Sequence, residues 1–301
     1  MMSSLWNLLK RIIGMDVAWE TMTLSRVGID PASARSLTRV LQPVHTVRLR
    51  PEPEEAQMPA PLALSWHGIT DTGLVRDHNE DNFTFLDLGD KTLFVVADGM
   101  GGHDAGEIAS AIAVQAVCSE VREAKKRGTD PLELVERAVQ RANTEVNREA
   151  SRTGSNMGTT LSVALMSDGT AFIGSVGDSR VYWIENASIT QITEDHSVVA
   201  KLVAKGQLTK EDARNHPRAN LLYRTIGNDE TVKVNICTVP VARGGTLLLC
   251  TDGLWGEVDD EEIRKICAGE KHTDLICARL VQRAEANGGK DNITAIVVKV
   301  N

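Results

Sequence analysis

The chain has 301 residues, 42% hydrophobic and 25% charged, with a net charge of −8. That length supports one large domain or two small ones around a sizeable core, while the acidic balance and the lack of a basic stripe speak against a nucleic-acid partner. The cysteines at 118, 237, 250, 267 and 277 include no Cys-x-x-Cys pair, and no apolar run approaches the roughly 20 residues of a membrane span, which disfavours a disulfide framework, a cysteine zinc site and a transmembrane protein.

Residues 1–63 read as an N-terminal extension. Leu5, Leu8, Leu9, Ile12 and Ile13 recur at helical spacing after Ser3–Ser4, with Asn7, Lys10, Arg11 and Gly14 opposite, which predicts a short amphipathic helix. Lys10–Arg11 breaks the apolar stretch and no small-residue cleavage site follows, so it does not read as a signal peptide and the protein is expected in the cytoplasm. Residues 1–15 either contact a membrane surface or a partner, or pack on their own domain. Pro51–Glu52–Pro53–Glu54–Glu55 and Pro59–Ala60–Pro61 read as an extended linker, after which a domain spans 64–301.

Within that domain Thr92–Ala97 predicts a buried strand and Gly106–Lys125 a helix with Val114, Val117 and Val121 on one face. Asp130–Pro131 reads as a helix start, an N-cap followed by proline at the first helical position. Val135, Ala138, Val139, Ala142 and Val146 carry the apolar face of that helix. Thr160–Met166, Ala171–Val176 and Arg180–Ile184 are short β-rich runs whose connections are too short for parallel crossovers, so antiparallel hairpins are implied. Residues 197–226 interrupt the strands with short helical, polar sequence, and one more helix is predicted near Asp274–Ala286. Hairpin strands with two long helices between them indicate an α+β or layered domain.

Carboxylates gather at the ends of these elements. They are Glu80 and Asp81, Asp98 after the run Val95–Ala97, Asp178 after Gly177, Asp252 after Thr246–Thr251, and Asp291 before Ile293–Val298. Each alone has a plain explanation in a turn or cap. A carboxylate is costly to bury without a cation or partner charge, and several aimed at one place suggest a hard-metal site of oxygen ligands.

The ordered set Arg76-x-x-Asn79-Glu80-Asp81, Asp98-Gly99-Met100-Gly101-Gly102-His103-x-x-Gly106-Glu107, Met157-Gly158-Thr159-Thr160, Gly177-Asp178-Ser179-Arg180, Asp252-Gly253 and Asp291-Asn292 resembles the motifs of the metal-dependent protein Ser/Thr phosphatases of the 2C type, in their bacterial branch. The resemblance covers roughly residues 66–300. It implies an α-β-β-α sandwich of two antiparallel sheets flanked by helices, with the site at one edge. It implies that Asp98 bridges two Mn²⁺ or Mg²⁺ ions, that the Gly99 carbonyl helps bind one, and that Asp252 and Asp291 complete the other. Glu80 and Asp81 would act on the metals partly through water, Asp178 and Asp252 would hold a weaker third ion, and Arg76 would grip the substrate phosphate.

Two cations sharing a water lower its pKa toward neutrality, and the resulting hydroxide can attack phosphorus without a protein nucleophile. Arg76 suits the phosphate because its planar fork makes paired charge-assisted hydrogen bonds; the bland alternative is a surface arginine paired with Glu80. Met100 stands where the eukaryotic branch carries a proposed proton-donating histidine and cannot donate a proton. The acid is then a water on a third metal or a nearby histidine, His103 or His78. Asp195–His196 is given no catalytic role, and Thr159–Thr160 reads as a strand start supporting the site. Residues 197–226 resemble the flap of bacterial members and either read the protein substrate or form a plain surface insertion.

The expected activity is hydrolysis of phosphoserine and phosphothreonine on proteins, in opposition to a Ser/Thr kinase. The rivals are a pseudophosphatase that binds phosphoproteins without turnover, and another two-metal hydrolase such as a phosphodiesterase or nuclease. The full carboxylate set disfavours the first; the lack of a basic groove and of histidine-rich metal motifs disfavours the second.

Overall fold

The computed structural model describes residues 62–301 except 103, 104, 125–128, 186 and 215. The predicted amphipathic helix, the proline-rich linker and His103 lie outside the described residues.

Three strands open the domain: β1 (Leu64–Asp71), β2 (Asp81–Asp87) and β3 (Thr92–Met100). Helices α1 (Ala105–Ala124) and α2 (Pro131–Thr153) follow. The Asp130 carboxylate caps α2 by accepting from the N–H groups of Leu132 at 2.9 Å and Glu133 at 3.1 Å, with Pro131 in the first turn. Next come β4 (Gly158–Thr159), β5 (Leu161–Ser167), β6 (Thr170–Val176), β7 (Arg180–Glu185) and β8 (Ser188–Gln191). Asp168 and Gly169, with φ of 48° and 71°, turn β5 into β6 through left-handed backbone that matches the strand twist. The insert holds α3 (Val198–Ala204) and α4 (Lys210–Arg214). The chain then forms β9 (Asn235–Pro240), β10 (Thr246–Cys250), α5 (Asp252–Trp255), α6 (Asp260–Ala268), α7 (Thr273–Ala286) and β11 (Ile293–Val300). The sequence reading anticipated α7 and missed α6. That helix starts on Asp259, whose carboxylate accepts from Glu262 N–H at 2.8 Å, and its acidic first turn suits the helix dipole.

The strands form two antiparallel sheets, one in the order β1-β11-β10-β7-β8 and one in the order β2-β3-β5-β6-β9, with β4 added on β3. Period-two alternation divides the core into layers. On β3, Leu93, Val95 and Ala97 join Val117, Val121, Val135 and Val139 under α1 and α2. Phe94 and Val96 point the other way, against Leu247, Leu249, Ile296 and Val298 of the opposite sheet. The far face of that sheet, with Leu248, Cys250, Ala295 and Val297, packs on Ile263, Ile276 and Leu280 of α6 and α7. The result is the expected α-β-β-α sandwich.

Candidate active site

Asp98 continues the alternation of Phe94 and Val96, so its side chain lies on the inter-sheet face where the sandwich opens. It was expected just beyond a strand; the strand instead runs on through Met100, because β4 pairs with Gly99 and Met100. Asp81 stands directly opposite Asp98 across the β2–β3 ladder, which puts both carboxylates on one face. The backbone of Asp98 is held on both sides. Its N–H donates to Thr160 Oγ1 at 2.9 Å, and its carbonyl accepts from Thr159 Oγ1 and Thr160 N–H, each at 2.8 Å. Gly99 leaves no room for a side chain: a Cβ there would overlap the Gly106 carbonyl and crowd the Glu80 carbonyl. This close approach explains Gly99 and Gly106 of the motif.

The opposite sheet supplies the other acids. Asp252 opens α5 immediately after β10. Its neighbour Thr251 is fully buried and ties the sheets together, donating to Asp81 Oδ2 at 2.7 Å and accepting from Thr294 N–H at 3.0 Å. Asp291 precedes β11 and receives Arg76 Nη2 at 2.7 Å. The carboxylate that Arg76 pairs with is therefore Asp291, not the Glu80 of the bland alternative. Asn292 bolts this corner down: its amide donates to the carbonyls of Thr72 at 3.0 Å and His78 at 2.9 Å, and its Oδ1 accepts from Glu80 N–H at 2.9 Å. The His78 side chain is exposed in this loop.

Asp178, in the β6–β7 loop, is 4% exposed. Its carbonyl accepts from Trp255 Nε1 at 3.0 Å, so it is tied to the helix that begins with Asp252. Arg180 lies over the Trp255 ring and forms a fork on Asp195, with Nη2 2.7 Å from Oδ2 and Nε 3.0 Å from Oδ1. Asp195 thus has the structural part the sequence reading left open. His196 accepts from Gly177 N–H through Nδ1 at 3.0 Å, and its backbone N–H returns a bond to the Gly177 carbonyl at 2.9 Å. The 197–226 insert is pinched at its base by the Ser197–Leu222 bridge and ends on Thr159 through Ile226. It therefore leaves beside the Asp178 loop and returns beside the strand that supports Asp98.

The electrostatics of the ring follow from crowding. Burial first, and then Asp252, Asp81 and Asp178, push the Asp98 carboxyl well above the usual range. Burial and then Asp252 do the same to Asp178. Burial raises Asp81 likewise, against the hydrogen bonds from Thr294 and Thr251. Asp252 is pushed up to about 6 by burial and Asp291, while a hydrogen bond from Asp98 holds it down. Glu80 is raised by burial, with Arg76 opposing. Without a cation this arrangement shares protons among acids that would otherwise ionise.

Among the described residues no three such side chains close into a ready-made ion cage. The donor set nevertheless fits hard cations completed by water. Asp81 Oδ1 and Asp252 Oδ1 are buried without any hydrogen-bond partner. Orphaned carboxylate oxygens beside mutually repelling carboxyls are what divalent ions would relieve. The sequence gives no role to Thr251, Asn292 or Trp255, although Asn292 stands in the Asp291-Asn292 motif and Thr251 directly precedes Asp252.

A family model described as protein phosphatase 2C matches residues 75–297. The serine/threonine phosphatase stp of Listeria innocua is 39% identical over 237 residues, covering 77% of this chain and 94% of that protein. The crystal structure of the Mycobacterium tuberculosis serine/threonine phosphatase PstP/Ppp aligns with a TM-score of 0.73 at 32% identity, over 80% of this chain and 100% of that one. The catalytic domain of PstP in complex with two manganese ions aligns with a TM-score of 0.70 at 32% identity, over 80% and 99% of the two chains.

Proposed function

Because the chain belongs to the protein phosphatase 2C family, we propose that the carboxylate ring at the mouth of the sandwich is its catalytic centre and that Arg76 receives the substrate phosphate. The chain is a protein serine/threonine phosphatase acting on phosphoproteins, with Mn²⁺ or Mg²⁺ as cofactor.

The observation that carries the site assignment is the pair of orphaned oxygens, Asp81 Oδ1 and Asp252 Oδ1, inside a ring of raised carboxyls. Asp98, Asp252, Asp291 and the Gly99 carbonyl would hold two ions, with Glu80 and Asp81 acting on them through water and Asp178 with Asp252 holding a third. Bound there, divalent ions lower the pKa of a water toward neutrality and offset the charge of a phosphate dianion. Arg76 is half-exposed at the rim, with its guanidinium already fixed by Asp291, so it meets a phosphate pre-oriented. The Thr159–Thr160 clamp and the Thr251 bridge hold the acids at fixed separation, which is what differential binding of the transition state requires.

The domain is read as 64–301 with a flap at 197–226, and 1–63 as an extension. The extension docks a membrane surface or partner through residues 1–15, and the enzyme works in the cytoplasm against a Ser/Thr kinase. All five cysteines are free thiols, in keeping with a reducing compartment. Unchanged fractionation in cells after deletion of residues 1–62 would sink the docking role.

The test is Mn²⁺-dependent phosphate release from a phosphothreonine peptide by the full chain and by Asp98→Asn. Loss of a ligand should cost at least about 100-fold, since changes to groups that merely orient ligands already cost about 10- to 100-fold. Full activity in excess EDTA, or in Asp98→Asn, would overturn the assignment.

A further inference from the structure

Leu74 and Val75 are 64% and 65% exposed, the two most exposed large hydrophobic residues among those described. Single exposed aliphatics are ordinary on a protein surface. This pair differs in three respects. The two residues are consecutive. They immediately precede Arg76, whose guanidinium stands at the rim of the carboxylate ring. Their loop is also built rather than loose. Gly73 N–H donates to Asp71 Oδ1 at 2.8 Å and Leu74 N–H to the Gly289 carbonyl at 2.7 Å. The Asn292 amide holds both ends, at Thr72 and His78. A backbone pinned at these points holds uncovered aliphatic surface at a fixed place next to the phosphate-binding arginine.

Resting on the phosphatase reading, we propose that Leu74 and Val75 form an apolar lip that selects phosphoprotein segments carrying an aliphatic or aromatic side chain close to the phosphoresidue. The occupant follows from continuity with the site. A phosphoprotein whose phosphate lies on Arg76 must pass its flanking residues over the neighbouring surface. Leu74 and Val75 lie about 4 to 7 Å back along the loop, a span that an extended peptide covers in one or two residues. Apolar contact there removes exposed surface from water on both partners. Because the loop is already fixed, little ordering entropy opposes it.

The test uses the full chain with Mn²⁺ and short phosphothreonine peptides of otherwise alanine sequence, with one leucine moved through the flanking positions. A leucine one or two residues from the phosphothreonine should raise kcat/KM by about fivefold or more, chiefly through KM, the scale of one apolar side chain in a partly open contact. In Val75→Asp and Leu74→Asp the profile should flatten to within about twofold across positions. A flat profile in the wild type overturns the proposal. Equal changes on p-nitrophenyl phosphate and on the peptides also overturn it, because the loop would then act on the site itself or on another segment of this chain. A flat profile with a shift in sedimentation on Val75→Asp assigns the lip to a second copy instead. Wild-type failure on p-nitrophenyl phosphate itself would be failure of the phosphatase reading, a separate result.

Discussion

The Arg180 guanidinium lies 3.5 Å above the centre of the Trp255 ring, and this stack joins the loop that carries Asp178 to the helix that begins with Asp252. The same indole donates to the Asp178 carbonyl. Arg180 is in turn fixed by Asp195 and by the hydroxyl of buried Tyr182, which donates to Asp260 at 3.1 Å. Two acids from different segments thus keep their spacing through one aromatic ring. Trp255→Phe should retain the stack, lose the hydrogen bond and destabilise the protein by about 1 kcal/mol. Trp255→Ala should cost about 3 kcal/mol and weaken the Mn²⁺ binding proposed for Asp178 by about tenfold. Urea denaturation and titration calorimetry check the two effects; Trp255→Ala with unaltered Mn²⁺ binding would remove the positioning role.

Arg76→Lys keeps the charge and loses the fork. A single ammonium cannot make the paired geometry with a phosphate, so kcat/KM on a phosphothreonine peptide should fall about 10- to 100-fold. Steady-state kinetics in saturating Mn²⁺ would show it, and near-wild-type kinetics would mean that Arg76 serves only its ion pair with Asp291.

Asn292→Asp replaces one donor amide by a carboxylate facing the carbonyls of Thr72 and His78. Two hydrogen bonds become repulsive contacts, so the loss should be about 2 to 4 kcal/mol. The Arg76 loop should open with it. Thermal melting, together with proteolysis mapped to residues 72–80, measures both consequences.

The acidic ring makes stability depend on pH in a defined direction. Asp252 is held at about 6, and burial and neighbouring acids also raise Asp81, Asp98 and Asp178, while the unfolded chain ionises its aspartates at about 3.9. Between those values the folded, metal-free protein binds more protons than the unfolded chain, so this contribution is full at low pH and is lost as pH rises through about 6. Buried His196 works in the opposite sense. Burial, and then Arg224 and Lys201, lower it to about 4, so its contribution is present above about 6.5 and fades as pH falls. One histidine opposes several carboxyls, and metal-free protein should melt higher at pH 5.5 than at pH 7.5. Saturating Mn²⁺ should reverse that order, because ions select the ionised carboxylates and release protons. Scanning calorimetry of EDTA-treated and Mn²⁺-loaded samples decides it; equal melting of the metal-free samples would count against a shared proton ring.

The fold class and the positions of the acids were legible because both leave local marks. Runs such as Phe94–Ala97 are apolar on both faces in a strand buried on both sides, and Asp130–Pro131 is a cap in two letters. Gly99 could be read as a close approach, though not what it approaches. Long-range partnerships leave no such mark. Thr251 meets Asp81 across 170 positions and Asn292 meets Thr72 across 220, and neither threonine nor asparagine announces a distant partner. The nearest acid to Arg76 in sequence is Asp77, and the one weighed as its partner was Glu80, four residues on, yet the carboxylate it pairs with lies 215 positions away. Helix α6 escaped because only Ile263 and Cys267 on it are buried, too few to set a period. Asp195 was passed over because a lone acid in a loop is most often a turn residue.

The placement of β11 has a consequence for how the enzyme comes into being. Asp291 and Asn292 lead into that strand, which inserts between β1 and β10, second from the edge of its five-stranded sheet. β1 belongs to the beginning of the domain and β10 lies far along it, so the neighbour that joins them is missing until the segment after Asp291 has been synthesised. Chains emerge from the ribosome N-terminus first. A nascent chain holding Asp98, Asp178 and Asp252 but not β11 lacks both the anchor for Arg76 and the bolt on its loop. On the proposed site assignment, catalytic competence arrives with β11, and a chain of this domain that stops before it should not strip phosphate from proteins around it.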